Sequence, residues 1–303
     1  MKSKIMSLGA FALILTLSLG FLSAGASSES SAPIAENLEI CTYRGVSVEG
    51  MLKATHPEGQ AVSFKISTHP TKGELVLGDN GSFVYTPNEG KRGKDYFGYK
   101  AMDVNGNSSC EATVIIKIEK QAKSISYSDM DGNGAGAAAV ALAEKNIFIG
   151  EQLGGQYVFR PEAKVSRSEF LAMCMRLSDI DILSGVITTG FGDDEDIPMY
   201  MKPYVSTALL TGIISGYTDG SHTAVFSGKN NISYPEAAVI LNRCLGLSDV
   251  RVSGLDGSVP VWSVQACANL SACRISEYNE EQQLTRADCA KLLMNAMRVL
   301  ESR

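Results

Sequence analysis

The apolar residues of this 303-residue chain change their spacing near residue 120, and this change constrains the fold more than any other feature. From Leu38 to Glu119, short segments rich in β-branched and aromatic residues alternate with turn signals, a pattern typical of an all-β sandwich. Beyond the polar stretch from Gln121 to Ser126, apolar residues recur at helical spacing. The sequence therefore predicts a multidomain protein, with an all-β half followed by an all-α half.

Seven strand-like segments are predicted before residue 120. They are Leu38–Tyr43, Val46–Ala54, Ala61–Ser67, Gly73–Leu77, Ser82–Thr86, Tyr96–Met102 and Glu111–Ile118. Gly78–Gly81 lies between two of these segments and predicts a tight hairpin. Seven strands suffice for a small independent domain.

Six helical segments follow, and they come in pairs. They are Ala137–Glu144, Glu169–Leu177, Tyr204–Leu210, Glu236–Leu245, Ser263–Leu270 and Asp288–Leu300. Each pair forms a helix-loop-helix unit that cannot bury its apolar stripe alone. We therefore expect the three units to pack on one another.

The second helix of each unit opens on the same pattern, a hydroxyl residue followed three positions later by an acid. This is a capping box, in which each side chain accepts a hydrogen bond from the backbone at the other position. It occurs as Ser166-x-x-Glu169, Ser233-x-x-Glu236 and Thr285-x-x-Asp288.

Arginine follows the cap in the first and third units, as Arg167 and Arg286. A cation gains nothing from the dipole at a helix N-terminus, so helix formation does not explain these arginines. Beside free backbone N–H groups, a guanidinium creates a site for a carboxylate or phosphate. The alternative is that both arginines are solvated or structural.

The first residues predict export. Lys2 and Lys4 precede an apolar run from Ile5 to Leu22, and Ala24-Gly25-Ala26 supplies small residues for cleavage. We therefore predict a signal peptide over residues 1–26, with a membrane anchor as the alternative. No later stretch is long and apolar enough to cross a bilayer, so no transmembrane segment is expected after cleavage.

Export permits disulfides, and the chain has seven cysteines. Cys41 and Cys110 stand alone in the β half, next to its first and last strands, and are a candidate pair. The other five lie on apolar helix faces, where free buried thiols are expected.

Charge and motif content exclude several classes of function. With 27 basic and 33 acidic residues the net charge is −6, and cleavage of the signal peptide takes it to −8. Such a chain has no basic surface for nucleic acid, and three histidines without a C-x-x-C predict no metal centre. Asp129 to Gly134 resembles half of an EF-hand loop, but Val140 occupies the position of the required glutamate. Asp193–Asp196 is most simply a solvated acidic loop.

Catalysis has little support either. No nucleophile elbow, zinc-protease motif or phosphate-binding loop occurs, so we expect a non-enzymatic protein without a cofactor. A carboxylate pair of the kind that cleaves glycosidic bonds stays open, because sequence does not give the separation of two acids in space.

The β half, assigned to residues 33–120, resembles the bacterial Ig-like or cadherin-like repeats of cell-surface proteins. The residues that carry the likeness are Gly73–Leu75, Gly81–Pro87 and Gly93–Asp103. The resemblance implies an Ig-like sandwich that serves as a spacer or adhesion module, with other envelope proteins as partners.

The helical half resembles the S-layer homology (SLH) domain, most specifically in Gly212–Gly220 and Ile232–Ala238. Three repeats are the family's usual complement, and they are assigned here to residues 127–182, 190–247 and 252–303. The resemblance implies a pseudo-threefold array. One departure from the pattern is Gly134, which stands where the later repeats have the aromatic residues Tyr200 and Trp262.

The SLH resemblance implies binding of an acidic, often pyruvylated, secondary cell-wall polysaccharide linked to peptidoglycan, in grooves between repeats. Several alternatives to a glycan role stay open: Trp262 as a core residue, the two glycines as helix C-caps and the two aspartates as caps of the first helices. Tyr234 replaces the arginine in the second repeat, so one groove is expected to lack the charged clamp. The predicted glycan-binding residues are Arg167, Arg286, Trp262, Tyr200, Tyr234, Asp129, Asp193, Gly150 and Gly216.

These observations predict an exported, non-enzymatic protein of the cell wall or S-layer of a monoderm bacterium. Its SLH repeats would bind wall polysaccharide and its sandwich would project outward. The main alternative is an envelope assembly protein whose degenerate repeats have lost glycan binding. A third possibility is an unrecognised wall hydrolase.

Overall fold

A computed structural model describes residues 32–123, 125–218, 220, 223–252, 258–277 and 283–303. The predicted signal peptide at residues 1–26 lies outside the described residues. In the described ranges, no helix is long and apolar enough to cross a membrane.

The N-terminal half is a sandwich of two sheets, and each of the seven predicted segments overlaps a strand. The strands are β1 (Ile34–Ala35), β2 (Leu38–Tyr43), β3 (Val48–Met51), β4 (Ala54–Thr55), β5 (Val62–Thr68), β6 (Gly73–Leu77), β7 (Ser82–Pro87), β8 (Gly93–Asp103) and β9 (Ala112–Glu119). One sheet has the order β2-β9-β8-β5 and the other the order β3-β7-β6, while β1 pairs with β4. The predicted hairpin joins β6 to β7, which pair antiparallel.

Alternation along the strands forms the core of the sandwich. In β9, Val114, Ile116 and Ile118 are buried, and the residues between them are only partly buried. Phe83 of β7 meets Phe97 of β8 edge to face, with ring centroids 5.1 Å apart. These contacts join the two sheets.

The C-terminal half contains six helices and two short hairpins, and the helices agree with the predicted segments to within two residues at each end. The helices are α1 (Gly136–Glu144), α2 (Arg167–Leu177), α3 (Lys202–Leu210), α4 (Tyr234–Leu245), α5 (Val264–Ala272) and α6 (Arg286–Glu301). The hairpins are β10 (Glu151–Leu153) with β11 (Gln156–Val158), and β12 (Tyr217–Thr218) with β13 (Ala224–Val225). One continuous core runs through this half, from Ile125 to Met297.

Three backbone segments join the helix pairs in a closed ring of hydrogen bonds. Each segment directly precedes the second helix of its pair. Val165 donates its N–H to the carbonyl of Leu284 (3.2 Å), Leu284 to Ile232 (2.9 Å), and Ile232 to Val165 (2.9 Å). All three residues are buried, so the ring lies inside the core. It holds the starts of α2, α4 and α6 side by side.

The capping boxes predicted for these helix starts are confirmed. Glu169 accepts from the backbone N–H of Ser166 at 2.9 Å, and Asp288 accepts from that of Thr285 at the same distance. Asp288 therefore makes the capping hydrogen bond at the same distance as Glu169, although its side chain is shorter.

The predicted Cys41–Cys110 disulfide is wrong, because the structure has both residues as free thiols. Cys41 lies opposite Lys117 in the parallel pair of β2 and β9, seven residues beyond Cys110 along the chain. At about 3.3 Å per residue this separates the two cysteines by roughly 20 Å, whereas a disulfide joins Cα atoms less than about 7 Å apart.

Candidate functional site

Two open grooves lie between neighbouring helix pairs, and each has an exposed aromatic residue at its mouth. The tryptophan groove, a cavity of about 260 Å³, is lined by Arg167, Gly216, Glu236, Arg243 and Trp262. The tyrosine groove, of about 420 Å³, is lined by Glu169, Arg176, Tyr200, Lys229 and the segment Ile147–Phe148.

Arg167 brings a buried positive charge to the tryptophan groove. It is the first residue of α2, and only 9% of its side chain is exposed. Its guanidinium carbon lies 4.7 Å from the centre of the Tyr217 ring, a cation–π contact. The Nε atom is buried without a hydrogen-bond partner among the described residues. A guanidinium that lines an open groove is suited to an incoming anion.

Glu236 links the helix cap to the groove. One carboxylate oxygen accepts from the Ser233 N–H at 2.8 Å. The other accepts from the Tyr217 hydroxyl and lies 3.5 Å from the Arg167 guanidinium. Burial, followed by this hydrogen bond to Glu236, raises the pKa of Tyr217, so the phenol stays protonated at neutral pH. The capping acid therefore also positions the arginine and the ring beneath it.

Arg243 and Trp262 complete the tryptophan groove. Arg243 donates to the carbonyl of Ile213 at 3.1 Å, which fixes the guanidinium against the loop before Gly216. Trp262 is 61% exposed, so it is not a core residue. A flat aromatic face and two guanidinium groups thus line the same groove.

The tyrosine groove repeats this geometry one helix pair earlier. Arg176 donates to the carbonyl of Ile147 at 3.4 Å, as Arg243 does to Ile213. Its Nε also donates to the Tyr204 hydroxyl at 3.1 Å. Tyr200 stands 74% exposed at the mouth. The two grooves share an arginine, a capping glutamate and an aromatic face.

Arg286, in contrast, is engaged inside the protein. Its guanidinium donates to Glu151 at 3.1 Å and to the carbonyl of Phe159 at 3.2 Å. It also lies over the Phe148 ring, 5.2 Å from its centre. The gap beside it holds only about 10 Å³. Arg286 therefore packs next to the tyrosine groove without lining it, and 15% of its side chain is exposed.

The predicted aspartates stabilise loops. Asp129 accepts from the N–H groups of Phe159 and Arg160, at 2.9 and 2.7 Å. Asp193 accepts from those of Phe226 and Ser227, both at 2.8 Å. Neither is a cap of the first helix in its unit.

The remaining predicted residues occupy tightly packed positions. Tyr234 is buried at the start of α4. Gly150 and Gly216 both have positive φ, and Gly216 lines the tryptophan groove. A Cβ atom at Gly216 would lie 2.4 Å from the Phe191 ring, and one at Gly150 would lie 2.7 Å from the carbonyl oxygen of Val158. Close packing therefore requires glycine at both positions.

Three residues of the grooves were not among those predicted from the sequence: Arg176, Arg243 and Tyr217. The two arginines each lie ten residues after the capping serine of their helix, so their equivalence was readable as a repeat. Tyr217 lies within Gly212–Gly220, one of the two segments that carry the SLH resemblance, so that motif was the signal for it. Among the described residues, no cluster of His, Cys, Asp and Glu is placed to hold a metal ion.

Comparison with known families supports both halves of this description. Residues 30–120 match the model of the bacterial cadherin-like domain, and residues 190–238 match that of the S-layer homology domain. The chain contains both domains. This confirms the two resemblances drawn from the sequence and points to a cell-surface protein. The SLH match includes the groove residues from Ile213 to Glu236, whereas Arg167, Arg243 and Trp262 lie outside the matched range. No curated protein matches the chain.

Among solved structures, the chain is similar in part to the SrpA adhesin of Streptococcus sanguinis, with 17% identity over 34% of this chain and 63% of that one, at a TM-score of 0.25. It is similar to the fibronectin(III)-like modules of Clostridium thermocellum CbhA, with 16% identity over 30% and 48% of the two chains, at a TM-score of 0.21. An endo-fucoidan hydrolase of glycoside hydrolase family 107 shares 16% identity over 31% of this chain and 14% of its own, at a TM-score of 0.25. The chain spans less than a fifth of that hydrolase.

Proposed function

We propose that the protein is exported and anchored without a covalent bond to an acidic, pyruvylated wall polysaccharide. Three SLH repeats would form the anchor, and the cadherin-like domain would act as spacer or adhesion module. The anchor would work at the surface of a monoderm cell wall or in its S-layer.

The observation that carries this proposal is the tryptophan groove. Arg167 supplies a guanidinium that lines the groove, Arg243 a second positive charge and Trp262 an exposed ring. A pyruvate ketal presents a carboxylate next to a sugar ring, so one residue of such a glycan can engage all three side chains.

A binding role fits this groove better than catalysis. Among its described lining residues, Glu236 is the one carboxylate, and it is held by Ser233 and Tyr217. Among those of the tyrosine groove, Glu169 is the one carboxylate. Glycosidic hydrolysis uses a pair of acids about 5 to 10 Å apart. Among the residues that the structure describes, neither groove has a second acid in its lining.

Co-sedimentation of the purified protein with isolated cell walls tests the anchor. We expect the Arg167→Ala variant to lose at least about tenfold in affinity, or about 1.4 kcal/mol, because it removes a buried charge-assisted contact. Arg243→Ala should act in the same direction. Arg92→Ala removes an exposed arginine from the cadherin-like domain and is the matched charge control, expected to bind like the wild type.

The other outcomes separate the alternatives. Wild-type protein that stays in the supernatant would favour an assembly role with degenerate repeats. Sugar fragments released from the walls would favour a hydrolase. Full binding by folded Arg167→Ala, with folding checked by circular dichroism, would overturn the assignment of this arginine.

A further inference from the structure

A third groove exists at the position equivalent to the other two, and the cadherin-like domain fills it. In this groove Asn295 donates to the carbonyl of Ile275 at 3.0 Å, the contact that Arg176 and Arg243 make in theirs. All three residues lie seven positions after the capping acid of their helix. We call it the glycine groove, because Gly134 stands where the other grooves have Tyr200 and Trp262.

Residues of the sandwich form one wall of the glycine groove. A residual cavity of about 300 Å³ lies between the two halves. Its lining from the sandwich includes Glu36, Glu49 and Lys53. Its lining from the helical half includes Gly134, Lys291 and Asn295. Two carboxylates of the sandwich pair with bases of the helical half: Glu49 with Lys291 at 2.6 Å, and Glu36 with Arg274 at 3.9 Å. A third pair, between Lys53 and Glu277, has the opposite polarity and a separation of 2.8 Å.

The glycine groove differs from the other two grooves at two positions of the helical half that take part in this contact. The residue three positions after the capping acid is Ala172 in the tyrosine groove and Val239 in the tryptophan groove, but Lys291 here. The aromatic residue at the mouth is replaced by Gly134, where an added Cβ atom would lie 2.6 Å from the Cβ of Glu49. An aromatic side chain at residue 134 is therefore incompatible with the docked sandwich.

Backbone hydrogen bonds complete the contact. Strand β3 is at the edge of its sheet and pairs only with β7. On its free edge, Glu49 donates to the carbonyl of Gly134 at 2.9 Å, and the carbonyl of Ser47 accepts from Ala137 at 3.0 Å. The start of α1 thus covers an edge that would otherwise expose unpaired backbone groups.

We propose that the glycine groove is a docking surface for the protein's own cadherin-like domain, with the Glu49 carboxylate bound at Lys291. The domain is held in a fixed direction by this contact. On the proposed function, the contact also closes one of three glycan sites, so the protein offers the wall two open grooves.

Amide hydrogen exchange in the full protein tests the docking without any glycan. The reporters are the amides of residues 49 and 137, whose acceptors lie across the contact. We expect Glu49→Lys, which places two cations together, and Gly134→Trp, which restores an aromatic side chain, each to speed exchange at both amides by on the order of tenfold or more. Exchange at the Val114 and Ile116 amides in the sandwich core should not change.

The charge-swapped double variant, Glu49→Lys with Lys291→Glu, is the matched control and should recover slow exchange. Wild-type exchange rates at both reporters in Gly134→Trp would overturn the proposal, as would faster exchange in the core amides of both single variants. The exchange rates are measured without cell walls, so they do not depend on wall binding. Failure of the docking proposal would therefore appear in the exchange rates, and failure of the anchoring proposal in the co-sedimentation. If both hold, Gly134→Trp should also bind more glycan per chain.

Discussion

At the scale of single residues, the acids of the helical half act mainly on the protein itself. Asp193 binds two backbone amides, Asp194 pairs with Lys202 at 2.6 Å, and Asp196 pairs with Lys229 at 2.6 Å. The sequence run Asp193–Asp196 suggested a solvated loop. These partners lie 8 to 34 residues further along the chain, and a run of like charges does not reveal them.

The Asp194–Lys202 pair makes stability depend on pH in a defined window. The hydrogen bond from Lys202, followed by those from Thr189, lowers the pKa of Asp194 from 3.8 to about 2. Because the pKa of Asp194 is lower in the folded state, its ionised form contributes to the free energy of unfolding. This contribution is complete above pH 3.8 and is lost as the pH falls through about 2. We therefore expect Asp194→Asn to lower the melting temperature at neutral pH, with the difference from wild type shrinking between these two values.

Thermal unfolding followed by circular dichroism at a series of pH values measures this difference. Asp181→Asn, at an exposed position in the same half, is the control and should melt like the wild type throughout. If the difference in melting temperature between Asp194→Asn and the wild type stays constant down to pH 2, the Asp194–Lys202 pair is not the source of the pH dependence.

At the scale of elements, the sequence predicted the helices and strands well, because periodicity and capping residues act locally. The capping boxes at Ser166 and Thr285 are examples. The grooves were less accessible. Arg167 and Arg286 follow their caps identically, yet the first faces an open groove and the second is closed in by Glu151. The difference depends on a hairpin 135 residues away in sequence, so tertiary contact decides it.

Gly216 connects an element boundary to the groove. It has a φ of +75°, and a Cβ atom would meet the Phe191 ring at 2.4 Å. Gly212 has a similar φ of +74° but open space around it. We expect Gly212→Ala to cost about 1 kcal/mol of unfolding free energy from backbone strain alone. Gly216→Ala should cost about 1 to 3 kcal/mol more, because overpacking adds to the strain.

Chemical denaturation of the two variants side by side measures this difference, since they share the backbone strain. Equal losses would mean that the Phe191 ring moves aside and that packing does not require glycine at residue 216.

At the scale of the whole molecule, the negative net charge of the chain opposes the proposed binding of an acidic wall polymer. The chain has a net charge of −6, so an acidic wall polymer is repelled at long range. On the proposed function, the attraction would come from Arg167 and Arg243, and Arg167 is 9% exposed. Salt screens exposed, distant charges much more than buried contacts, with a Debye length of about 10 Å at 0.1 M. Added salt should therefore weaken the repulsion more than the recognition.

We therefore expect the affinity for isolated walls to change by less than about threefold between about 0.05 and 0.5 M NaCl. Sedimentation isotherms across that range measure it, and a small cationic protein of unrelated fold is the reference, expected to dissociate steeply. A steep loss for this protein would mean that exposed bases such as Lys229, 68% of whose side chain is exposed, carry the attraction. The tyrosine groove, which Lys229 lines, would then be the main site, and a buried guanidinium in the tryptophan groove would not be what holds the protein to the wall.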